Sequence, residues 1–440
     1  MGNFPSAHAA PAGFVSCLHS ALPTGAVSLP GDLFYPLVVK PYNLAYSDIT
    51  PAAVTRPETT DQVSKAVKCA SDYGVKVQAR SGGHSYGDYS IGGQSGSLVI
   101  DLVNFQQFSY DQSTGYATIG SGTLLKDVTK RLHDAGGRAM AHGLCPQALK
   151  GAGASFGVIT EFKVITRPEP REITQYTYKF ELSASHRGLA QMFARWQEFI
   201  SQPDLSRKFA SQFIVHELGL VVQGTYYGPR SEFDALGFDK KVATNASAVS
   251  ITADNWLGNV ANWATQEAIN LVGGVNLPFY AKTLAFRNDT LMSADTIQSV
   301  FDQFDSKKKG SKLWVAIFDL AGGAINDVPL DATSYPHRDT LFFLQSYIVG
   351  IPKITDQNHQ WLNDINGIIE RSTPHANYGA YAGYVDPFME NAQTRYWKSN
   401  YPRLQQIKSQ IDPQDTFHNP QSVVGTVQMQ YTAGEVARTF

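Results

Sequence analysis

Residues 80–87, Arg-Ser-Gly-Gly-His-Ser-Tyr-Gly, carry the clearest chemical signal in the sequence. Three of the eight are glycines, and glycine costs backbone entropy on folding, so such a cluster needs a reason. The usual reason is a main chain that lies close to a ligand, with its N–H groups turned toward an anion. Arg80 would suit a diphosphate, and the His84 imidazole could meet whatever the loop holds. The alternative is a solvated turn, because short glycine-rich loops are common.

Composition limits the classes of protein to which the chain can belong. The 440 residues are 43% hydrophobic, which is ample for a large core and favours two or three domains. The net charge of -2 gives no sign of a nucleic-acid partner or of an acidic membrane surface. No apolar run is long enough to span a bilayer, and no Cys/His cluster has the spacing of a metal site. We therefore expect no nucleic acid, no membrane span and no metal.

The three cysteines are Cys17, Cys69 and Cys145. We expect Cys17 and Cys69 to bridge and Cys145 to be left over, and the alternative for each is a buried, unreactive thiol. A bridge indicates an oxidising compartment. The first ten residues lack the charged and then apolar pattern of a signal peptide. We nevertheless expect a secretory destination, with a processed or misassigned start.

Hydrophobic periodicity predicts the elements that hold the glycine loop. Apolar residues at helical spacing predict a helix that Thr60 caps and Gly74 ends. The alternating residues 75–79 then predict a strand that leads into the loop. Strands alternate with helices in this part of the chain, as in an α/β domain. Pro168 and Pro170 predict a domain boundary.

After that boundary, strands and helices segregate along the sequence. Alternating aromatic and apolar residues predict an antiparallel sheet that helices cover on one face. The main predicted strands are 209–215, 220–226, 313–318 and 341–348, and the main predicted helices lie near 293–304 and 355–370.

Three further segments complete a pattern with residues 80–86. They are Gly-Leu-Cys-Pro at 143–146, Lys-Gly-Ala-Gly-Ala-Ser-Phe-Gly-Val-Ile-Thr-Glu-Phe at 150–162, and the chain from Tyr381 to Ser422. In this order, over about residues 42–425, the chain resembles fungal flavoprotein oxidases of the berberine bridge enzyme type, and most of all the gluco- and chito-oligosaccharide oxidases. The resemblance implies an α+β fold, with a shortened FAD-binding domain of the PCMH (vanillyl-alcohol oxidase) type and an α+β substrate domain with an antiparallel sheet.

The resemblance also implies a division of the chain. Residues 1–41 would be a lead-in, 42–170 the FAD-binding domain, 171–400 the substrate domain, and 401–440 a segment that returns to the FAD-binding domain.

FAD is the cofactor that the resemblance implies. His84 would bond to the flavin 8α-methyl carbon and Cys145 to flavin C6, and a neutral imidazole and a thiolate are the two good side-chain nucleophiles near neutral pH. Backbone at Val158 and Ile159 would meet the adenine. The residues implied to bind the cofactor are Arg80, Ser81, Gly82, Gly83, His84, Ser85, Cys145, Gly157, Val158, Ile159 and Asn419.

For the substrate, the resemblance implies that Tyr384 takes a proton from the hydroxyl at the anomeric carbon of an oligosaccharide. Hydride would pass to flavin N5, and dioxygen would reoxidise the flavin to give hydrogen peroxide. A free tyrosine has a pKa of about 10 and is a poor base unless its surroundings lower that value. The residues implied to line a sugar subsite are Tyr86, Tyr280, Gln345 and Tyr381, and for Tyr280 and Gln345 an ordinary core position is equally open.

Two substitutions and one junction depart from the family pattern. Ile348 stands where a carboxylate is expected, and Gly383 replaces an asparagine, so a fungal secondary metabolite stays open as the substrate. The chain also runs directly from Gln147 to Ala148, where the relatives carry several tens of additional residues. A splicing or gene-model error fits so clean a join, and an inactive deletion product that binds no FAD is the alternative to an active enzyme. We expect a monomer.

Overall fold

The computed structural model of the chain describes residues 10–140, 151–182, 185–270 and 276–426. Cys145 and the junction between Gln147 and Ala148 lie outside these residues.

The chain divides into two compact units. The first contains Met1–Pro168, Thr333–Pro336 and Pro387–Phe440, and the second contains Glu169–Ala332 and His337–Asp386. The division at Pro168 lies beside the boundary that the prolines predict. The second unit ends at Asp386 rather than at residue 400, so the C-terminal return to the first unit starts earlier than we expected.

The N-terminal part of the first unit has short strands and four helices among its described residues. They are α1 (Phe14–Ala21), β1 (Val27–Ser28), α2 (Tyr35–Val39), β2 (Ala53–Thr55), α3 (Thr60–Asp72), β3 (Val77–Arg80), β4 (Leu98–Asp101), β5 (Phe108–Asp111), β6 (Tyr116–Gly120), α4 (Leu125–Asp134), β7 (Arg138–Ala139), β8 (Glu161–Ile165) and β9 (Arg167–Pro168). The strands form sheets in the orders β1-β2-β4-β3, β5-β6-β8 and β7-β9. β2, β4 and β3 run parallel, so β3 and β4 end together beside the glycine loop.

Two predictions from the sequence concern helix α3, its cap and its disulfide. Its cap is Thr59, whose hydroxyl accepts a hydrogen bond from the Gln62 N–H at 3.3 Å, so Thr60 is the first helical residue and not the cap. The predicted disulfide between Cys17 and Cys69 is confirmed, and it joins α1 to α3. Both helices pack against the apolar core under β3 and β4.

The second unit is built on one seven-stranded sheet. Its elements are β10 (Ile173–Glu181), α5 (Ala190–Ile200), β11 (Phe209–His216), β12 (Gly219–Tyr226), α6 (Arg230–Ala235), α7 (Phe238–Lys241), β13 (Ala248–Asp254), α8 (Trp256–Asn270), β14 (Phe279–Phe286), α9 (Ala294–Phe304), β15 (Trp314–Leu320), β16 (Phe342–Val349) and α10 (Asp356–Ser372). The strand order is β13-β10-β12-β11-β15-β16-β14, with antiparallel pairing throughout, as predicted.

The two faces of this sheet differ in chemistry. One face packs against α5, α9 and α10 in a core rich in aromatic residues, for example Trp196, Phe301 and Trp361. The other face carries amide, carboxylate and hydroxyl side chains at the centre of the sheet, among them Gln212, Gln223, Asp319 and Gln345. Strand alternation keeps the two sets apart, because successive side chains point to opposite faces.

After Asp386 the chain belongs to the first unit and forms α11 (Ala392–Trp397) and α12 (Tyr401–Ile411). Phe417 then pairs with Val77 at the free edge of β3, where the Val77 N–H donates to the Thr416 carbonyl at 2.7 Å. The C-terminal segment thereby covers an edge that would otherwise offer unpaired backbone groups.

Candidate active site

The glycine loop in the first unit begins where β3 ends. Gly83 has a φ of +77°, a left-handed conformation that favours glycine. The Ser81 hydroxyl donates to the Ser121 carbonyl at 2.6 Å and ties the loop to the turn after β6. The shape of the loop therefore depends on a left-handed residue and on one cross-connection.

Arg80 has a structural role that the sequence did not reveal. Its guanidinium donates to Asp101 Oδ2 at 2.7 Å and to the carbonyls of Val38 and Val39 at 2.7 and 2.5 Å. The side chain is only 8% exposed, so this ion pair is well shielded from water. Arg80 thus joins α2 to the ends of β3 and β4 and pairs with Asp101. Its contact with a diphosphate stays a prediction.

Two buried hydroxyls beside the loop also fit an anionic ligand. Ser121 Oγ and Thr123 Oγ1 are buried and have no hydrogen-bond partner among the described residues. A buried hydroxyl without a partner costs free energy, so such groups call for a polar ligand. With the N–H groups of the loop, they form a donor set that suits the diphosphate of a dinucleotide.

His84 lies half-buried in the loop, and within the described part of the chain no hydrogen bond reaches its ring. Burial lowers the pKa of His84, so its imidazole is neutral near pH 7. The ring of Tyr42 lies 5.0 Å away, and Tyr42 also stacks on Tyr86, which is 5% exposed. A neutral imidazole of this kind is available as a nucleophile. Cys145, the other residue predicted to bond to the flavin, lies outside the described residues.

Asp88 holds the segment that flanks His84. Its carboxylate is fully buried and accepts hydrogen bonds from the N–H groups of Tyr42 at 2.8 Å and of Asn43 at 3.2 Å. Burial raises the pKa of Asp88 to about 7, against the lowering effect of these two hydrogen bonds.

The raised pKa of Asp88 predicts a stability change with pH. The folded protein binds the Asp88 proton more tightly than the unfolded chain does. The protonated Asp88 side chain therefore stabilises the fold fully below about pH 4, and this stabilisation is lost as pH rises through 7. We expect the free energy of unfolding of wild type to fall by at most about 4 kcal/mol over that window. Denaturant titrations from pH 4 to 8 measure this fall. Asp88→Asn, which has no proton to lose there, should lack it, and an identical slope in both proteins would contradict the assignment.

The remaining predicted cofactor residues have clear local roles. The Ser85 hydroxyl accepts the Tyr89 N–H at 3.1 Å, and Asn419 Oδ1 accepts the Gln421 N–H at 3.0 Å, so both close turns. Gly157, Val158 and Ile159 form a half-buried stretch that leads into β8. Contacts of these residues with FAD stay predictions.

In the second unit, the segment from Tyr381 to Asp386 carries the predicted base. Its first turn closes with the Tyr384 N–H donating to the Tyr381 carbonyl at 2.9 Å. The two tyrosine rings meet edge to face at 4.9 Å, and the Tyr381 ring lies 5.8 Å from the ring of Phe343 on β16. The structure therefore brings Tyr381 and Tyr384 together as a pair.

Asp386 anchors this segment to β14, which the sequence analysis missed. Its buried carboxylate accepts from Lys282 Nζ at 2.9 Å and from the Tyr280 hydroxyl at 3.1 Å. A buried carboxylate bound to two strand residues gives a rigid attachment for the tyrosine pair. The only signal in the sequence was Lys282, two residues after Tyr280 on a strand. This pattern does not indicate a buried ion pair until Asp386 is known to be the partner of both residues.

Tyr280 belongs to the core and not to a subsite shared with Gln345. It is 2% exposed, its ring packs 4.2 Å from the ring of His359, and it pairs in register with Ile348. Gln345 points to the opposite face of the sheet, because it is one residue out of phase with Ile348. For Tyr280 this favours the core position that the sequence left open beside a place in the sugar subsite. It also removes Ile348 as the position for a carboxylate, since that residue is buried in the apolar core.

A carboxylate does stand on the polar face, one strand away. Asp319 Oδ1 accepts from Gln212 Nε2 at 2.7 Å, and Asp319 Oδ2 accepts from Gln345 Nε2. Burial raises the pKa of Asp319 to about 6, although both amide hydrogen bonds act to lower it. Alternating polar residues within three apolar strands were the signal that could have found this group.

The position of the Tyr381 ring explains why residue 383 is a glycine. A Cβ at position 383 would lie 2.5 Å from Tyr381 Cε1, a distance that forces the ring to move. The absent side chain is therefore what lets Tyr381 lie over its own turn and meet Tyr384.

We expect Gly383→Ala to lower activity without unfolding the protein. The ring edge of Tyr381 can swing away at small cost, so the free energy of unfolding should change by less than about 1 kcal/mol. Because the tyrosine pair is disturbed, kcat/KM should fall several-fold. Gly188→Ala is the matched control, since a Cβ there meets nothing within 4 Å. Equal kinetics for the two variants would show that Tyr381 needs no particular position.

Two other classes of site are absent from the described residues. The ranges that the structure describes contain no group of three or more His, Cys, Asp and Glu residues able to hold a metal ion. Among the same residues, the helices are too short or too polar to cross a membrane.

Comparison with known proteins adds independent evidence. A model of the FAD binding domain matches residues 51–157, and a model of berberine and berberine-like proteins matches residues 380–424. The FAD-linked oxidoreductase sorD of Penicillium rubens is 30% identical over 467 aligned positions, covering 93% of this chain and 98% of that protein. The chitooligosaccharide oxidase of Gibberella zeae is 27% identical over 454 positions, covering 87% and 89%. A solved structure of glucooligosaccharide oxidase from Acremonium strictum, described for its 6-S-cysteinyl, 8α-N1-histidyl FAD, has a TM-score of 0.80 at 24% identity over 93% of this chain and 99% of that one, which shows a shared fold.

Proposed function

Because this chain belongs to the berberine bridge enzyme-like FAD-linked oxidoreductases, we propose that it is an FAD-dependent oxidase that acts on a sugar hydroxyl. The observation that carries the proposal is the half-buried, neutral His84 imidazole, which makes no hydrogen bond to a described residue, in a glycine loop flanked by two buried hydroxyls without partners among the described residues. If the loop served only as a turn, a neutral imidazole and two buried hydroxyls without partners would not be expected beside it.

The first unit supplies the residues that fit FAD. The loop 81–84 with Ser121 and Thr123 would hold the diphosphate, and His84 would attach the flavin. When bound, FAD supplies a two-electron acceptor that dioxygen restores. Arg80 and Asp88 fix α2 and Tyr42 around the loop.

Tyr384 is the residue that we propose holds the substrate proton. Its phenolic oxygen is the group that would accept the proton of the reacting hydroxyl, and Asp386 keeps its segment in place through Lys282. In the overall reaction a cyclic hemiacetal loses two hydrogens and becomes a lactone, while dioxygen gains them and becomes hydrogen peroxide. The named activity of the chitooligosaccharide oxidase relative supports an oligosaccharide as the substrate.

The metabolite oxidase stays the alternative. Of the two departures that raised it, Ile348 and Gly383, the first lies in the core beside Tyr280 and so gives it less support. The polar face with Gln345 and Asp319 favours a substrate with several hydroxyls. We also propose a secretory destination, which the Cys17–Cys69 disulfide supports.

One purification tests the proposal. The full chain is precipitated with acid, and the colour of the pellet is recorded, because only covalently bound flavin stays yellow in the pellet. Peroxide release is then measured with glucose, cellobiose, xylobiose, chitobiose and an aromatic alcohol. A yellow protein that oxidises disaccharides supports the proposal. A colourless protein would favour the inactive deletion product, and peroxide from the aromatic alcohol alone would favour the metabolite oxidase.

The junction between Gln147 and Ala148 has its own test. We propose that it arises from a splicing or gene-model error, and transcript sequencing across these two codons decides it. If sequencing finds only transcripts of the short form, the hypothesis of a splicing or gene-model error is rejected.

A further inference from the structure

A glycosylation sequon lies in the second unit, apart from the residues that the proposed function uses. Asn245-Ala246-Ser247 matches the pattern Asn-x-Ser/Thr, in which the asparagine amide accepts an N-linked glycan in a secreted protein. So short a pattern also occurs by chance, and its structural setting has to show whether it can carry a glycan. The sequon lies in the connection between α7 and β13.

Asn245 stands at the surface of a turn. The residue is exposed, and its φ of +63° is a left-handed conformation that asparagine tolerates well. Its amide makes no hydrogen bond to a described residue. The Ser247 hydroxyl, in contrast, donates to the Lys179 carbonyl at 2.9 Å and fixes the start of β13. The acceptor nitrogen is therefore accessible, and the turn that carries it is anchored.

The edge of the sheet beside Asn245 has room for a bulky group. β13 is the outermost strand of the seven-stranded sheet and, among the described residues, pairs only with β10. Val249 on this strand is 55% exposed. Because an uncovered edge strand can pair with other chains, natural proteins usually shield it. A glycan at the start of β13 would supply such a shield.

A cavity of about 430 Å³ lies directly beside Asn245. Asn245 belongs to its lining, together with apolar side chains such as Phe233 and Val249 and with Tyr178. The volume falls within the range of roughly 300–1,000 Å³ that is usual for small-molecule sites, so one sugar ring fits. A lining that combines apolar and polar groups suits a sugar, whose ring has apolar faces and polar edges.

Tyr178 brings a buried donor to this cavity. The residue is 2% exposed, and its hydroxyl has no hydrogen-bond partner within the described part of the chain. Burial and the nearby Asp239 carboxylate raise the pKa of Tyr178 to about 12, so the phenol stays protonated and can donate. Because a buried hydroxyl without a partner costs free energy, a group that offers an acceptor is expected in the cavity.

We propose that Asn245 carries an N-linked glycan and that the first N-acetylglucosamine of this glycan occupies the cavity, where it accepts a hydrogen bond from Tyr178. Asn245 Nδ2 bonds to C1 of the sugar and loses one proton, while the polyprenyl diphosphate of the oligosaccharide donor leaves with the electron pair of the C1–O bond. The inference rests on the proposed secretory destination, since this donor acts in the secretory pathway, and it does not depend on oxidase activity.

Mass spectrometry of the full chain, secreted by a fungal host that carries its gene, tests the modification. We expect the peptide that contains Asn245 to carry two N-acetylhexosamines and several hexoses in most molecules. An unmodified Asn245 in the secreted protein would overturn the proposal, and so would a protein that stays inside the cell with Asn245 unmodified. The oxidase assignment would survive either result, because colour and peroxide release test it separately.

Two glycosidases test the place of the first sugar. Both are applied to Asn288→Asp protein, because Asn288-Asp289-Thr290 is a second sequon and Asn288 does not line the cavity. An endoglycosidase leaves one N-acetylglucosamine on Asn245, whereas a peptide N-glycosidase leaves none and converts the residue to aspartate. The single sugar should keep the melting temperature within about 1 °C of that of the intact glycoprotein. Its removal should lower the melting temperature by about 2–4 °C, the value of one hydrogen bond in a unit of this size.

Two variants complete this experiment. Asn245→Asp has the same polypeptide as the fully deglycosylated form and should melt at the same temperature. Tyr178→Phe removes the donor, so complete deglycosylation of this variant should lower its melting temperature by less than about 1 °C. If Asn245 is occupied but loss of the last sugar leaves the melting temperature of Asn288→Asp protein unchanged, the glycan stands free of the cavity and the proposed contact with Tyr178 is wrong.

Discussion

Tyr384→Phe should lower kcat for peroxide release by about 10²- to 10⁴-fold, the usual contribution of a general base. The variant keeps the ring that meets Tyr381 at 4.9 Å and loses only the hydroxyl. KM should therefore stay within a few-fold of wild type, and the acid-precipitated pellet should stay as yellow as the wild-type pellet. Steady-state peroxide assays with the best disaccharide measure the effect.

Tyr378→Phe is the matched control for this experiment. Tyr378 is 3% exposed in the core of the same unit, and its hydroxyl donates to the Thr290 carbonyl at 3.2 Å. Its loss should cost about 1 kcal/mol of stability and leave kcat unchanged. If Tyr384→Phe turned over within threefold of wild type while Tyr378→Phe behaved as expected, another group would have to take the proton.

Lys408→Met should give the largest loss of stability in the first unit, about 3–5 kcal/mol. The Lys408 side chain is 1% exposed, and its ammonium contacts Asp412 at 2.7 Å and Asp415 at 3.0 Å. It also donates to the carbonyls of Ser155 and Phe417, both at 2.7 Å. Methionine fills the space but leaves the buried Asp412 carboxylate without the ammonium that pairs with it, and leaves Asp415 with only Lys76 and His418. Chemical denaturation followed by circular dichroism measures the loss.

Lys408→Met should also weaken FAD binding. Lys408 joins the C-terminal segment to the stretch that runs from Ser155 toward Val158 and Ile159, which the resemblance assigns to the adenine. We expect a lower flavin-to-protein ratio in purified Lys408→Met. Lys65→Met is the control, because the Lys65–Asp61 pair is exposed and worth less than about 1 kcal/mol. Equal stability losses in the two variants would mean that the buried cluster contributes no more than a surface pair.

The loss of stability at low pH gives a second measure of the cluster formed by Lys408, Asp412 and Asp415. Burial raises the pKa of Asp415, but the hydrogen bond from His418 and the Lys408 ammonium outweigh it and bring the pKa to about 2. A lowered pKa in the folded state stabilises the fold above about pH 4, and this contribution is lost as pH falls toward 2. In Lys408→Met the Asp415 pKa should rise, so the loss should begin at a higher pH than in wild type.

Local patterns in the sequence determined a good part of this protein. The glycine loop and the main strands and helices after residue 170 follow from spacing and alternation, and the segment that contains Tyr384 follows from the order of motifs that the resemblance supplies. Each of these signals lies within a short stretch, or within motifs that follow one another in a known order. Propensity and periodicity act at that range, so the sequence could specify them without a partner.

The tertiary structure alone decided what the charged and polar groups do. Strand pairing set Asp101 beside Arg80. Tyr280 and Gln345 could have shared a subsite, but the register between β14 and β16 placed them on opposite faces. Asp319 and Lys408 found their partners on segments far away in the chain. The role of a charged or polar side chain depends on which distant group buries it or neutralises its charge. Those neighbours are set by strand register and burial, which exist only in the folded backbone.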